Sequence, residues 1–228
     1  SFNLLDIATR KYDMFDMLDS GEYLDELYGA LSEVMFSDED KHKMLELPIY
    51  VMSFTENKRA VEAILCMDIA EQIAKRLDKV SELDVAKLHY AGLLHDVGMF
   101  IRASDHEAHS QYIILHSEIF GLNKEEITLI AHIASYHRGS RRPQNDSSYK
   151  SFQRSDRLAI LKLAAILRVA DALDRGHQQK IRDFTASFSE DSMTIRTGEL
   201  ENIMLEKIAL QDKGDLFESV FGYKIVLV

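Results

Sequence analysis

The chain has 228 residues, a formal net charge of −11 and a 46% share of hydrophobic residues. This length suits one large domain, or one domain with a small appendage, and it allows a sizeable core. The acidic balance argues against general nucleic-acid binding, since phosphate contacts need Lys and Arg. Because the chain has a single cysteine, no apolar run of about 18 residues and no visible signal peptide, we expect a cytoplasmic protein without a membrane span.

The first 57 residues are predicted to form a helical N-terminal arm that carries no chemical motif. Apolar residues recur there at helical spacing, as in Leu4, Ile7 and Ala8. The Ser-Gly pair at 20–21 interrupts this pattern, and a second helix is expected over 22–36. We interpret the segment as a helical hairpin or a docking arm.

Residues 58–180 are predicted to form a helical domain. Apolar residues at helical period indicate helices over 58–78, 84–100, 110–120, 124–137 and 157–175. The polar stretch 139–155, which contains Pro143, is expected to be a loop before the last of these helices. The scarcity of helix breakers, with 2 Pro and 10 Gly in the whole chain, agrees with long helices.

The hydrophobic period changes from that of a helix to that of a strand in residues 181–228, which predicts a small α+β subdomain. Phe184, Ala186 and Phe188 alternate with polar residues, and Met193 and Ile195 alternate after a turn. A third strand is expected over 201–208, a helix over 211–221 and a final strand over 223–228. The predicted fold class is therefore mainly α, a helical bundle with a small C-terminal β-β-β-α-β unit.

Histidines and carboxylates among apolar residues are the main chemical signal of the sequence. Seven of the nine histidines lie between residues 89 and 137, and His95-Asp96 is flanked by apolar residues. A carboxylate in such surroundings is costly to bury unless it is paired or binds a metal. Asp171, on a later helix, presents the same problem. The two helices are predicted to converge on a divalent cation; for His95-Asp96 alone, a buried His paired with its neighbour is the alternative.

This arrangement resembles the metal-binding pattern of the HD superfamily. Further blocks narrow the resemblance to the C-terminal region of the exopolyphosphatase and guanosine pentaphosphate phosphohydrolase family. They are Leu-Leu-His-Asp-Val-Gly (93–98), His-Ser-Gln-Tyr-Ile-Ile (109–114), Tyr-His-Arg-Gly (136–139), Leu-Arg-Val-Ala-Asp-Ala-Leu-Asp-Arg-Gly-His (167–177) and a tail over 215–227. The resemblance implies an HD-type domain that helps to bind long polyphosphate and supports a homodimer. It also implies that the phosphatase chemistry resides in actin-like domains, whose phosphate loop this sequence does not contain.

The first histidine of the HD pattern is missing from the first core helix. The matching position is that of Cys66, or of Leu65 one residue earlier, and Cys66 is either a replacement metal ligand or a buried structural cysteine. The resemblance adds His109 and His137, which can also act as acid and base together with Asp96. The predicted metal ligands are His95, Asp96, His109, His137 and Asp171, with Cys66 and His106 as further candidates.

Nitrogen and oxygen donors suit Mn, Fe or Zn, with Mg also open. The incomplete pattern equally allows a site without metal. As the alternative, His106 and His109 are exposed loop residues, and His89, His116 and His132 are interpreted as core or surface residues.

A basic segment beside these residues predicts a phosphate partner. From His137 to Arg182 there are 11 Lys and Arg against 4 Asp and Glu. Guanidinium groups suit phosphate, and a basic patch on an acidic protein concentrates anions. A solvated loop and helix face is the alternative. The candidate phosphate ligands are Arg138, Arg141, Arg142, Arg168 and Arg175.

Three functions are compatible with the sequence. The first, which we prefer, is a non-catalytic module that binds polyphosphate or nucleotide phosphates and forms a homodimer. The second is an autonomous metal-dependent phosphohydrolase acting on a nucleotide or another phosphate ester, in which the cation activates water. The third is a structural domain whose acidic arm docks a partner. Whether the chain is an enzyme stays open at this point.

Overall fold

A computed structural model of the chain describes residues 57–119, 121–139, 141–198 and 202–228. Residues 1–56 of the predicted N-terminal arm lie outside the described residues. The described part contains eight α-helices and a three-stranded sheet. The helices are α1 (Asn57–Ala74), α2 (Glu82–Leu94), α3 (His106–Leu115), α4 (Lys124–Ser135), α5 (Ser147–Ser151), α6 (Arg154–Leu173), α7 (Met204–Lys213) and α8 (Asp215–Phe221). The strands are β1 (Thr185–Phe188), β2 (Ser192–Arg196) and β3 (Lys224–Leu227).

The long helix α6 lies at the centre of the bundle. Its apolar residues recur at positions i, i+3, i+4 and i+7, and Ile160, Leu163, Ala164 and Leu167 are fully buried. Helices α1, α4 and α8 pack against it. Because α6 is covered on several sides, the polar side chain of Asp171 on this helix is only 16% exposed.

The connection from α2 to α3 forms one wall of the pocket described below. Helix α2 ends at Leu94, and a one-turn 3₁₀ helix follows over Val97–Phe100. The backbone N–H of Gly98 donates to Ser110 Oγ at 2.8 Å. A Cβ atom at Gly98 would lie 2.1 Å from the carbonyl oxygen of His106, so this approach requires glycine. The predicted single helix over 84–100 is therefore wrong at its C-terminal end.

Helix α4 begins at a capping box. Asn123 Oδ1 accepts the N–H of Glu126 at 2.9 Å, and Glu126 Oε2 accepts the N–H of Asn123 at 2.9 Å. The helix ends at Ser135, so His137 follows it in the first residues of the next loop. This loop is less irregular than predicted, because it contains a 3₁₀ turn over Pro143–Asn145 and the short helix α5.

The C-terminal part contains a three-stranded sheet, but its elements differ from the prediction. Strand β1 pairs antiparallel with β2, with Ala186 opposite Ile195, and β2 pairs parallel with β3. The predicted strand over 201–208 is wrong, since α7 occupies this region from Met204. Its buried residues Glu206, Ala209, Leu210 and Lys213 have helical spacing. The apolar side chains of Met204, Leu205 and Ile208 lie on the exposed side of this helix.

None of the helices in the described ranges has the length and hydropathy needed to cross a membrane.

Candidate functional site

Asp96, His106 and His137 bring three potential ligand atoms within 4.8 Å of one another. Asp96 Oδ1 lies 3.0 Å from His106 Nε2 and 3.5 Å from His137 Nε2. The two Nε2 atoms are 3.1 Å apart. Both imidazoles are buried, whereas Asp96 keeps 26% of its side chain exposed. The cluster is therefore closed on its histidine side and open to solvent at the carboxylate.

Backbone carbonyl groups fix the orientation of both imidazoles. His106 Nδ1 donates to the carbonyl oxygen of Ala103 at 2.9 Å, and His137 Nδ1 donates to that of Ala134 at 2.7 Å. In its neutral form, each ring then presents an Nε2 lone pair to the centre of the cluster. Two lone pairs 3.1 Å apart repel unless a proton or a cation lies between them. Two nitrogens and one oxygen, oriented in this way, fit a divalent transition-metal ion.

The pKa values of Asp96 and His137 are lowered in the cluster, whereas that of His106 is raised. Burial raises the pKa of Asp96, but the imidazoles, with His95 first among them, outweigh burial and hold it well below its usual range. Burial lowers the pKa of His106, but its hydrogen bond to Asp96 raises it above the ordinary value. Burial and the charge of His95 lower the pKa of His137 to about 3. At neutral pH, His137 is therefore neutral and Asp96 is ionised.

His95 lies at the edge of the cluster. Its Nε2 is 3.6 Å from Asp96 Oδ1, and its ring packs edge-on against His137 with a centroid separation of 4.9 Å. Its Nδ1 donates to the carbonyl oxygen of Gly92 at 2.6 Å. Ser110 Oγ donates to the His95 carbonyl oxygen at 2.6 Å. Because Ser110 also accepts the N–H of Gly98, this hydroxyl links α3 to the chain on both sides of Asp96.

Asp171, on α6, has a different partner from Asp96. Its Oδ2 contacts the ammonium group of Lys213, the last residue of α7. Burial raises the pKa of Asp171, but Lys213 outweighs burial and lowers it below its usual range, and the charges of His137 and His95 lower it further. The convergence of the two acids on one cation stays a prediction, and Lys213 is the direct partner of Asp171.

Cys66 is buried in α1 and faces acidic groups. Burial raises the pKa of its thiol well above the ordinary value, and the charges of Asp171 and Asp96 raise it further. The residue is 3% exposed among apolar residues of the core, which favours the structural alternative for it.

The structure places His106 beside Asp96, whereas the sequence analysis ranked His109 above His106 as a metal ligand. His106 is the first residue of α3 and faces Asp96, while His109 lies nearly one turn further on. The Nε2 atom of His109 is buried and has no hydrogen-bond partner within the described ranges. The helix was predicted to begin at residue 110, and an earlier start would have placed His106 at the pocket. Lys213 was missed altogether, because nothing in its local sequence indicates a partner 42 residues away.

Three of the predicted phosphate ligands lie in the loop that follows α4. Arg138 is half-buried, and its Nη1 lies 3.5 Å from His106 Nδ1. Arg141 Nη1 donates to Gln111 Oε1 at 2.8 Å. Arg142 forms a surface ion pair with Asp215 and keeps 64% of its side chain exposed. Of these three arginines, Arg138 lies beside the histidine cluster and Arg142 is exposed to solvent.

The other two predicted phosphate ligands lie elsewhere. Arg168 is 1% exposed, and its Nε and Nη2 donate to the carbonyl oxygens of Tyr136 and Arg141. Its Nη1 donates to Asp215 Oδ1 at 3.2 Å. These bonds give Arg168 a structural role that does not favour the predicted phosphate contact. Arg175 is exposed beyond the end of α6.

The remaining histidines predicted as core or surface residues have partners of their own. His89 is buried and its Nε2 lies 3.0 Å from Glu71 Oε2. His132 Nδ1 donates to the carbonyl oxygen of Thr128 at 2.8 Å. His116 is exposed and stacks on Tyr112, with ring centroids 4.1 Å apart.

One comparison with known proteins bears on the whole site. A family model described as Ppx/GppA phosphatase, domain III, matches residues 54–216. This range covers more than half of the chain, and it includes the three clustered residues together with Asp171 and Lys213. The match confirms the family resemblance predicted from the sequence blocks.

Proposed function

The chain belongs to the Ppx/GppA phosphatase family through its domain III, and we propose that it binds polyphosphate or nucleotide phosphates and forms a homodimer without hydrolysing phosphate itself. The observation that carries the proposal is the ion pair between Asp171 and Lys213. In the HD pattern this aspartate completes the metal site. Here a lysine ammonium already satisfies its charge.

The environment of Cys66 supports the same conclusion. This residue stands at, or one position after, the place where the HD pattern has its first histidine, and burial and Asp171 raise the pKa of its thiol. One ligand position of the pattern is therefore engaged by Lys213, and another carries a buried apolar or thiol side chain instead of an imidazole. A pocket of this kind retains the HD architecture and is poorly suited to the chemistry of a complete HD site.

Arginines near the pocket support an anionic ligand. Arg138 lies beside His106, and the exposed Arg142 follows in the same loop. The segment from His137 to Arg182 is basic, with 11 Lys and Arg against 4 Asp and Glu, in a chain of net charge −11. Such a local excess of positive charge attracts phosphate chains more strongly than the overall charge suggests.

Calorimetric titration of the purified chain with sodium polyphosphate tests the binding proposal. We expect the double variant Arg138→Gln/Arg142→Gln to bind about tenfold more weakly, because it loses two charge-assisted contacts. The double variant Lys79→Gln/Lys224→Gln, which removes the same charge from exposed positions outside the segment, serves as the control. Absence of binding by the unchanged protein, or equal weakening by both variants, would refute the proposal.

The homodimer is supported by an exposed apolar stripe on α7. Met204, Leu205 and Ile208 are 62%, 57% and 49% exposed, which is unusual for a helix whose other side packs into a core. Sedimentation equilibrium of the same preparation measures the oligomeric state. A monomer at all concentrations would remove this part of the proposal and leave the binding part standing.

A metal-dependent phosphohydrolase remains the second candidate, because Asp96, His106 and His137 present an oriented donor set. Mn, Fe or Zn fits two imidazole nitrogens and a carboxylate better than Mg does. Such an ion, when bound, would lower the pKa of water and polarise a phosphoryl oxygen. Arg138 is close enough to the cluster to neutralise a phosphate group. Release of phosphate from a nucleotide by the purified chain with Mn²⁺, and its loss in Asp96→Asn, would favour this candidate over the first.

A further inference from the structure

We propose that Ser148 is a nucleophilic serine, with His132 as its base, that attacks small activated carboxylic esters and forms a covalent acyl intermediate. This pair lies outside the group of Asp96, His106 and His137, and it does not depend on the proposed phosphate binding. It has the three parts of an activated nucleophile, which are a hydroxyl, a base within hydrogen-bonding distance and a group that orients the base.

His132 is oriented as a base by the bonds of its two ring nitrogens. Its Nδ1 donates to the carbonyl oxygen of Thr128 at 2.8 Å, one turn earlier on α4. In the neutral ring, Nε2 therefore carries the lone pair, and it lies 2.9 Å from Ser148 Oγ. The histidine is 3% exposed, and Phe152 packs edge-on against its ring with a centroid separation of 4.8 Å. The imidazole is thus held with its basic nitrogen facing the hydroxyl.

Ser148 can be reached from solvent, although its base is buried. The residue is exposed in the short helix α5. Its Oγ lies 2.5 Å from Asp146 Oδ1, so the hydroxyl has two acceptors within hydrogen-bonding distance for its single proton. Two acceptors on one hydroxyl pull its proton away from the oxygen, which increases the nucleophilic character of Oγ.

The charges around His132 suit the transfer of a proton to it. Burial lowers the pKa of His132 and Arg141 lowers it further, so the ring is neutral at pH 7 and can accept a proton. The charge of Asp146 acts in the opposite direction and stabilises the imidazolium that forms. Tyr136 Oη donates to Asp146 Oδ2 at 2.7 Å, and Arg141 Nη2 lies 3.8 Å from the same oxygen. These contacts keep Asp146 ionised beside the pair.

The reaction needs only the ester and water. Ser148 Oγ forms a bond to the carbonyl carbon, and its proton passes to His132 Nε2. The bond between this carbon and the alcohol oxygen breaks, and the alcohol leaves with that proton. Water then attacks the acyl group with His132 again as base, which releases the acid and restores the serine hydroxyl.

Labelling of the full chain with an alkyl fluorophosphonate tests the proposal, because this probe captures a nucleophilic serine with loss of fluoride and a proton. We expect the label on Ser148, located by fragmentation mass spectrometry, and no label in Ser148→Ala. An excess of p-nitrophenyl acetate should leave an acetyl group on the same residue. His132→Gln should slow the labelling by about a hundredfold, because it removes the base. Ser147→Ala, which changes the neighbouring exposed serine of α5, is the matched control and should be labelled at the unchanged rate.

The pH profile of the labelling rate separates a base from a residue that only supports the fold. The rate in the unchanged protein should fall in acid, since a protonated His132 has no lone pair to offer. This profile and the exposed variant Ser148→Ala decide the matter even if His132→Gln does not fold. An unlabelled Ser148 with either probe, an equal rate in folded His132→Gln, or a rate that does not fall in acid would overturn the inference.

Discussion

Asp96 and Asp171, the two carboxylates of the predicted metal pocket, have charges that are satisfied in different ways. Asp96 faces three imidazoles, whose Nε2 atoms lie 3.0 to 3.6 Å away. Asp171 contacts the ammonium group of Lys213. An imidazole can be neutral or charged and can exchange a proton for a metal, whereas the lysine offers a compact ammonium group with donors only. Two acids at predicted ligand positions are therefore not equivalent, and their partners decide what each can bind.

The largest expected effect comes from removing the charge of each acid separately. Asp171→Asn leaves the Lys213 ammonium without its counter-charge, and breaking a buried pair in this way costs about 3 to 5 kcal/mol. Because both side chains keep some exposure, at 11% and 16%, we expect the lower end of this range. Asp96→Asn leaves imidazoles that can become neutral, so we expect a loss of about 1 kcal/mol. Urea-induced unfolding at neutral pH measures both.

Asp78→Asn, at an exposed position between α1 and α2, is the control for the loss of a charge alone. Its free energy of unfolding should stay within about 0.5 kcal/mol of the unchanged value. Similar losses for Asp171→Asn and Asp96→Asn would contradict the distinction between the two halves of the pocket.

The halves also differ in how much of them the sequence predicts. The Asp96 half comes from residues 95–137, where helical period and the His-Asp pair indicate a shared site. Its error concerns one residue, because the start of α3 was placed four residues too late and His106 was ranked below His109. Helix boundaries are the least certain part of such a prediction, since they depend on local hydrogen bonds such as that from Gly98 to Ser110 Oγ.

Of the ion pair between Asp171 and Lys213, only Asp171 is predicted from the sequence as a site residue. The period of α6 predicts that Asp171 enters the bundle, but Lys213 reaches it from a helix that begins at Met204, where the sequence predicts a strand over 201–208 and a helix only from residue 211. Tertiary packing selected a helix there, with Glu206, Ala209 and Leu210 buried. A partner that depends on a contact across 42 residues has no local signal in the sequence. The order of the helices can therefore be predicted from the sequence, whereas the ion pair that Lys213 forms with Asp171 cannot.

Gly98→Ala tests whether the Asp96 half depends on the close approach of the backbone at Gly98. The Asp171 half depends instead on the charge of Lys213. The added Cβ would lie 2.1 Å from the carbonyl oxygen of His106 and 2.3 Å from the backbone nitrogen of Ser110. Since backbone atoms cannot rotate away, we expect a loss of about 2 to 3 kcal/mol and a displacement of α3. Thermal unfolding measures the loss, and the imidazole NMR signals of His106 report the displacement.

Gly198→Ala is the matched control, because no atom lies within 4 Å of the Cβ position there. Unchanged His106 signals in Gly98→Ala would show that the cluster does not depend on this close approach.

The smallest expected effect concerns Glu71 and His89, where a carboxylate meets a single imidazole instead of three. Contact with His89 Nε2 at 3.0 Å is the main cause that lowers the pKa of Glu71 from 4.5 to about 2. A carboxylate with a lowered pKa in the folded state contributes stability above its unfolded pKa and loses it as the pH falls through the folded pKa. The contribution of this pair should therefore be complete above about pH 5 and disappear toward pH 2.

Glu71→Gln should consequently lower the free energy of unfolding by less than about 1 kcal/mol at pH 6, because the carboxylate is partly screened by solvent, and by still less at about pH 2.5. Denaturant unfolding of both proteins across this range measures the difference, with Glu190→Gln at an exposed turn as the control. A difference that does not change with pH would mean that packing, not charge, holds the pair together. The same test would then weaken the reading of Asp96, because its stronger shift is attributed to the same kind of imidazole contact.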